Sequence, residues 1–183
     1  MPSYVALLRG INVGGKNLIK MPALKACFEA DGFQDVTTYI QSGNVLFTSL
    51  EGRAPELARR LEMTLGETFG YVATVVVRSR RQMRTVVERA PKTFGAEQVR
   101  YRYDVIFLKE PLTATVALKS VPTKPGVDEA HAGTGVLYFS RLIERATQSQ
   151  LNKITSSPIY PSFTIRNWNT TTKLLGMMDT VSG

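Results

Sequence analysis

One cysteine, one histidine and one tryptophan stand among 183 residues, and each scarcity excludes something. With Cys27 alone, no disulfide can close within the chain, which fits a reducing, cytoplasmic setting. With Cys27 and His131 as the sole thiol and imidazole, a zinc site of the His-and-Cys type is excluded in one chain. A Ser-His-Asp arrangement would have to use His131, and nothing around it suggests one. Cys27 itself falls on an apolar helical stripe, a core position and not that of a nucleophile. No apolar run approaches the roughly 20 residues that span a bilayer. No basic segment precedes a long apolar core at the N-terminus, so neither a signal segment nor a membrane partner is expected. Neither G-x-x-x-x-G-K-[ST] nor G-x-G-x-x-G occurs. Asp128 and Glu129 are adjacent, would face opposite ways on a strand, and form no acid–base pair. No metal, no cofactor and no nameable catalytic residue follow from the sequence.

What is present is an ordinary globular composition, 43% apolar and 21% charged, with a net charge of +8. A core of normal size can be buried. The charge favours anionic partners: a nucleotide, a phosphorylated small molecule or nucleic acid.

The chain reads in order as two similar successions. Residues 3–8 form a buried strand. Pro22 suits the first turn of a helix whose stripe is Leu24, Cys27 and Phe28, stopped at Gly32 with Phe33 folding back. Strands over 36–41 and 45–48 flank the turn Ser42-Gly43-Asn44. Pro55 opens a second helix with Leu57, Leu61, Leu65 and Phe69 on one side, closed by Gly70, and a strand follows over 71–77. Ser79-Arg80-Arg81-Gln82 is a capping box, starting a helix with Met83, Val86, Val87 and Ala90 inward. The pattern then repeats: a strand over 101–108, a short helix over 112–120, two strands around Gly133-Thr134-Gly135, a helix over 142–153 and a strand over 162–166. A last helix over 168–177 has Asn167 as its N-cap. The fold class is α+β: two ferredoxin-like βαββαβ subdomains over 1–78 and 99–183, joined by a helix and linker over 79–98, with a C-terminal helix on the second.

That topology makes a site. In a split βαββαβ unit the first two strands are parallel, with the third antiparallel between them. Arg9-Gly10-Ile11-Asn12-Val13-Gly14-Gly15-Lys16-Asn17 then shares an edge with Gln41, Ser42 and Asn44, and with the start of the first helix. The loop holds three glycines, two cations and two amides. The first acid in the chain is Glu29. Glycine amides and the helix start suit an anion, with Arg9 and Lys16 supplying charge and Asn12, Asn17, Gln41, Ser42 and Asn44 orienting it. The same loop can serve only to turn the chain.

A second candidate edge is Arg166, Asn167, Trp168, Asn169 and Lys173, again a strand feeding a helix start. No Asp or Glu occurs from Arg145 to Met178. Arg166 can fork onto a phosphate and Trp168 can stack on a base. The plainer reading makes Trp168 a packing anchor between the halves and Asn167 a cap. A third feature, Arg78, Arg80, Arg81, Arg84, Arg89 and Lys92, followed by Arg100 and Arg102, is either a phosphate track or a solvated face. Tyr101 and Tyr103 alternate with the last two arginines, so rings and charges take opposite sheet faces.

Three segments carry a resemblance: Ala6-Leu-Leu-Arg-Gly-Ile-Asn-Val-Gly-Gly-Lys-Asn17, Tyr39-Ile-Gln-Ser-Gly-Asn-Val45, and Arg166-Asn-Trp-Asn-Thr170 with Lys173-Leu174. Together they resemble the bacterial family catalogued as domain of unknown function 1697. The resemblance implies two ferredoxin-like subdomains and no activity. The chain departs from the family pattern at Gln150, where a basic residue is expected after Ser149. The family motifs fall on the two edges singled out above. Three functions stay open: binding of a phosphorylated ligand, an enzyme acting on a phosphorylated small molecule, and a structural or assembly protein with no ligand.

Overall fold

A computed structural model describes residues 1–181. The chain divides into two compact units, one of residues 1–84 together with the stretch from Lys173, the other of residues 85–172.

In the first unit the order is β1 (Ser3–Arg9), α1 (Met21–Ala30), β2 (Gln34–Tyr39), β3 (Asn44–Thr48), α2 (Ala54–Phe69) and β4 (Thr74–Ser79). The sheet order is β2-β3-β1-β4, with every neighbouring pair antiparallel. Each helix is bounded by local chemistry. α1 has proline in its first turn. It ends where the Phe33 amide reaches back to the Phe28 carbonyl and the Gly32 amide to that of Glu29, with Gly32 at φ +86°. That is a Schellman ending, which needs a left-handed residue and so favours glycine. α2 starts with the Glu56 carboxylate accepting from the Arg53 amide at 2.9 Å and ends on left-handed Gly70. The stripes Leu24, Cys27, Phe28 and Leu57, Leu61, Leu65 are buried in one core with Ala6, Leu8, Val45, Phe47, Val75 and Val77 of the sheet.

α3 (Arg80–Glu88) follows β4 directly. Its capping box forms as the sequence indicates: the Ser79 amide donates to Gln82 Oε1 at 2.8 Å and the Gln82 amide to Ser79 Oγ at 3.3 Å.

The second unit holds β5 (Tyr101–Leu108), α4 (Ala114–Ser120), β6 (Asp128–Ala132), β7 (Val136–Leu142) and β8 (Phe163–Asn167), and leads into α5 (Trp168–Val181). Its sheet order is β6-β7-β5-β8, again antiparallel throughout. Ile106, Leu108, Ala117, Leu137, Phe139, Leu151, Ile154 and Phe163 build its core.

One expectation is corrected here. The α-helix expected over 142–153 is instead two 3₁₀ segments, Ile143–Gln148 and Gln150–Ser156. Arg145 departs from helical angles, and Ser149 sits between them at φ −59°, ψ 135°. Ser149 Oγ takes the Leu151 amide at 3.2 Å and Asp128 Oδ2 takes the Gln150 amide at 2.8 Å. A side chain 22 residues away thus supplies the partner that an α-helical carbonyl would have given.

Candidate functional site

β1 and β3 pair with Leu7 opposite Asn44, so the chain leaving β1 runs past the turn that joins β2 to β3. The Leu8 amide donates to the Gly43 carbonyl at 2.8 Å. A Cβ on Gly43 would lie 2.8 Å from Ile11 Cδ1 and 2.9 Å from Leu8 Cβ, and its φ is +82°. Only glycine fits that approach. Asn12 then locks the two stretches together. Its Oδ1 accepts from the Ile19 amide at 2.8 Å, and its Nδ2 donates to the carbonyls of Ile19 at 2.9 Å and Gln41 at 3.0 Å. Asn17 Nδ2 closes the loop onto the Gly10 carbonyl at 2.9 Å. Asn44, fully buried, donates to the Tyr39 carbonyl and to Ser42 Oγ, both at 3.0 Å.

Between these anchors Val13-Gly14-Gly15-Lys16 makes a two-residue reversal, with the Lys16 amide donating to the Val13 carbonyl at 3.1 Å. Gly14 and Gly15 both have positive φ, and nothing lies within 4 Å of where their Cβ atoms would be. Their amides have no hydrogen-bond partner among the described residues, and Lys16 makes no ion pair among them. Gln41 and Ser42 are exposed on the turn that Asn12 joins to this loop, while Arg9 is half-buried at the end of β1.

The rim also concentrates left-handed backbone. Gly10, Asn12, Gly14, Gly15, Asn17, Ile40 and Gly43 all have positive φ, Ile40 at +49°. Asparagine tolerates this region; a β-branched residue does not adopt it without cost. Ile40 is 49% exposed, so burial of its side chain does not repay that cost. Sequence reading passed over Ile40, because strain is invisible in a residue type.

The second candidate edge divides. Arg166 is buried; its Nη1 donates to Thr164 Oγ1 at 2.9 Å and to the Ile165 carbonyl at 2.8 Å. Burial pushes its guanidinium down to about 10. Asn167 Oδ1 accepts from the Thr170 amide at 2.7 Å, the N-cap expected for α5. Trp168 is half-buried, edge-on to Phe94 at 5.2 Å between centroids. It lies so close to Gly95 that a Cβ there would be 2.3 Å from Nε1. Phe94 and Gly95 both belong to its own unit. Asn169 is exposed, as is Lys173 farther along α5. Trp168 borders a cavity of about 240 Å³ that Tyr101, Tyr103, Gln98, Asn167 and Asn169 also line. The alternation in β5 puts Tyr101 and Tyr103 on one face, but nothing in the sequence joins them to residues more than sixty positions later.

Among the described residues no group of three or more His, Cys, Asp or Glu is placed to hold a metal ion. No helix of these residues is long and apolar enough to cross a membrane.

An α+β chain with two four-stranded antiparallel sheets is thus the class defined by the fold. The model of the family described as a protein of unknown function (DUF1697) matches residues 1–138, and the chain belongs to that family. It is similar to a solved structure described as that of conserved bacterial protein SP0830 from Streptococcus pneumoniae. The two are 26% identical over 97% of this chain and 98% of the other, with a TM-score of 0.83. The chain matches no curated protein.

Proposed function

We propose that the protein is a pair of ferredoxin-like modules, from a bacterial cytoplasm, that binds a phosphorylated anion at the glycine-rich rim of the first. The strand order β2-β3-β1-β4 supports that name for the first unit. The observation that carries the reading is the rim's construction. Asn12 fixes the loop to the Gln41 carbonyl, and the loop then carries Gly14 and Gly15, whose Cβ positions lie in open space and whose amides have no partner among the described residues. Lys16 stands beside them, and no acid occurs before Glu29. Backbone donors held in a concave, left-handed run are a means of gripping phosphate oxygens. Strain of the kind seen at Ile40 gathers at functional edges. Arg9 and Lys16 supply charge, the glycine amides supply directed donors, and Gln41 and Ser42 orient the ligand.

A thermal-shift screen against nucleotides, sugar phosphates and short oligonucleotides tests the reading, since a ligand that binds the folded state raises the midpoint by mass action. A nucleotide or sugar phosphate should raise it, and Lys16→Ala should remove most of that rise. If an oligonucleotide is the ligand, log affinity should fall linearly with log salt. No shift with any phosphorylated compound, or an equal shift in Lys16→Ala, contradicts the proposal.

A further inference from the structure

The cavity of the second unit has a chemistry different from the rim's. Its walls are mainly aromatic and amide, Arg102 and Ile143 complete the lining, and none of the lining residues is acidic. The amide orientations are set by bonds already made. Asn167 Oδ1 is taken by the Thr170 amide, leaving Nδ2 as a donor. Gln98 Nε2 is taken by the Gly95 carbonyl at 3.2 Å, leaving Oε1 as an acceptor. Asn169 adds one of each, and neither its carboxamide nor Trp168 Nε1 has a hydrogen-bond partner among the described residues. The aromatic part is held in place. Phe94 stands edge-on to both Tyr103, at 4.9 Å, and Trp168, at 5.2 Å, and the Tyr103 hydroxyl accepts from the Glu97 amide at 3.3 Å. Tyr103 and Trp168, packed in this way, lose little freedom when a ligand arrives.

We infer that this cavity is a binding site for a nucleobase, seated against Tyr101 and Trp168 and read along its edge by Asn167, Asn169 and Gln98. Three features select that class. A flat π system is what aromatic walls take, at about 1–3 kcal/mol per stacked base. Amide donors and acceptors lining one cavity suit the donors and acceptors of a base edge, the pairing that asparagine and glutamine make with adenine. The volume of about 240 Å³ lies below the roughly 300–1,000 Å³ of pockets for larger ligands, and so suits one small planar group. The inference stands apart from the rim proposal, because a nucleoside carries no phosphate.

Trp168 is the only tryptophan, so its emission reports the site directly. The intact chain is titrated with adenosine, guanosine, cytidine and uridine, with ribose as the sugar control and inorganic phosphate as the anion control. At least one nucleoside should change Trp168 emission saturably, and neither control should. Asn169→Ala removes an exposed side chain at little risk to folding; it should weaken the response about tenfold, one lost hydrogen bond. Tyr101→Leu keeps an apolar wall without the π face and should weaken it similarly. No saturable change with any of the four nucleosides overturns the inference. So does an equal response to ribose, or a nucleoside response untouched by both substitutions.

Discussion

Asn12 Nδ2 lies 3.0 Å from the Gln41 carbonyl oxygen, so one side chain spans 29 residues of sequence and ties the loop after β1 to the turn after β2. That bond adds to the one from the Leu8 amide to the Gly43 carbonyl in joining the two loops of the rim. Its Asn12 end is itself left-handed, at φ +53°.

Asn12→Ala therefore removes three hydrogen bonds at once and places an alanine in a conformation asparagine tolerates better. The expected loss is about 1–3 kcal/mol, measured by urea unfolding, together with broadened or displaced amide resonances at Gln41 and Ser42. A variant as stable as the wild type would show that the two loops hold their positions separately.

The glycines of the rim separate into two kinds. Gly43→Ala should suffer both the left-handed penalty, about 1–2 kcal/mol, and overpacking against Ile11 and Leu8, about 1–3 kcal/mol more. Gly14→Ala meets open space and should suffer only the first. Denaturation of the two variants side by side should rank Gly43→Ala as the weaker; equal losses would refute the close approach.

Ile40 holds a positive φ with about half its surface in water. Ile40→Asn should raise stability by about 1 kcal/mol, because asparagine enters the left-handed region more easily. If the strain serves binding, the same variant should bind the phosphorylated ligand of the rim more weakly. The paired measurement is the melting midpoint with and without ligand.

Asp104 gives the second unit a pH dependence. Burial pushes its carboxyl up, opposed by the nearby Arg141 and Arg102 guanidinium groups, the former 3.9 Å away. Its Oδ2 has no hydrogen-bond partner among the described residues. A raised acid binds protons more readily folded than unfolded. This site's contribution is therefore most favourable at or below the ordinary carboxylate range and declines as pH rises from that range through the folded value. Asp104→Asn removes that slope. Unfolding followed from pH 4 to pH 7 should show the variant gaining on the wild type as pH increases; the reverse trend would mean that the arginines outweigh burial.

The parts of this architecture written locally were legible. Gly32, Pro55, Gly70 and the Ser79–Gln82 pair act through neighbours within a few residues, so their roles follow from spacing. The convergence at the rim was also legible, because antiparallel pairing of β3 between the first two strands leaves little choice. The 3₁₀ passage after β7 was not, since Asp128 competes for the Gln150 amide from 22 residues away. Which backbone groups Asn44 and Arg166 bond to was not legible either. Their bonds to Tyr39 and Ile165 carbonyls depend on burial, which residue type does not disclose. The cavity beside Trp168 draws Gln98 and Asn169 together only after β5 and β8 have paired.

The most direct test of the rim is a titration of backbone amide resonances with inorganic pyrophosphate. Saturable shifts centred on Gly14, Gly15 and Lys16, lost in Lys16→Ala, are the expected result. Shifts confined to other parts of the chain, or none at saturating pyrophosphate, would contradict it.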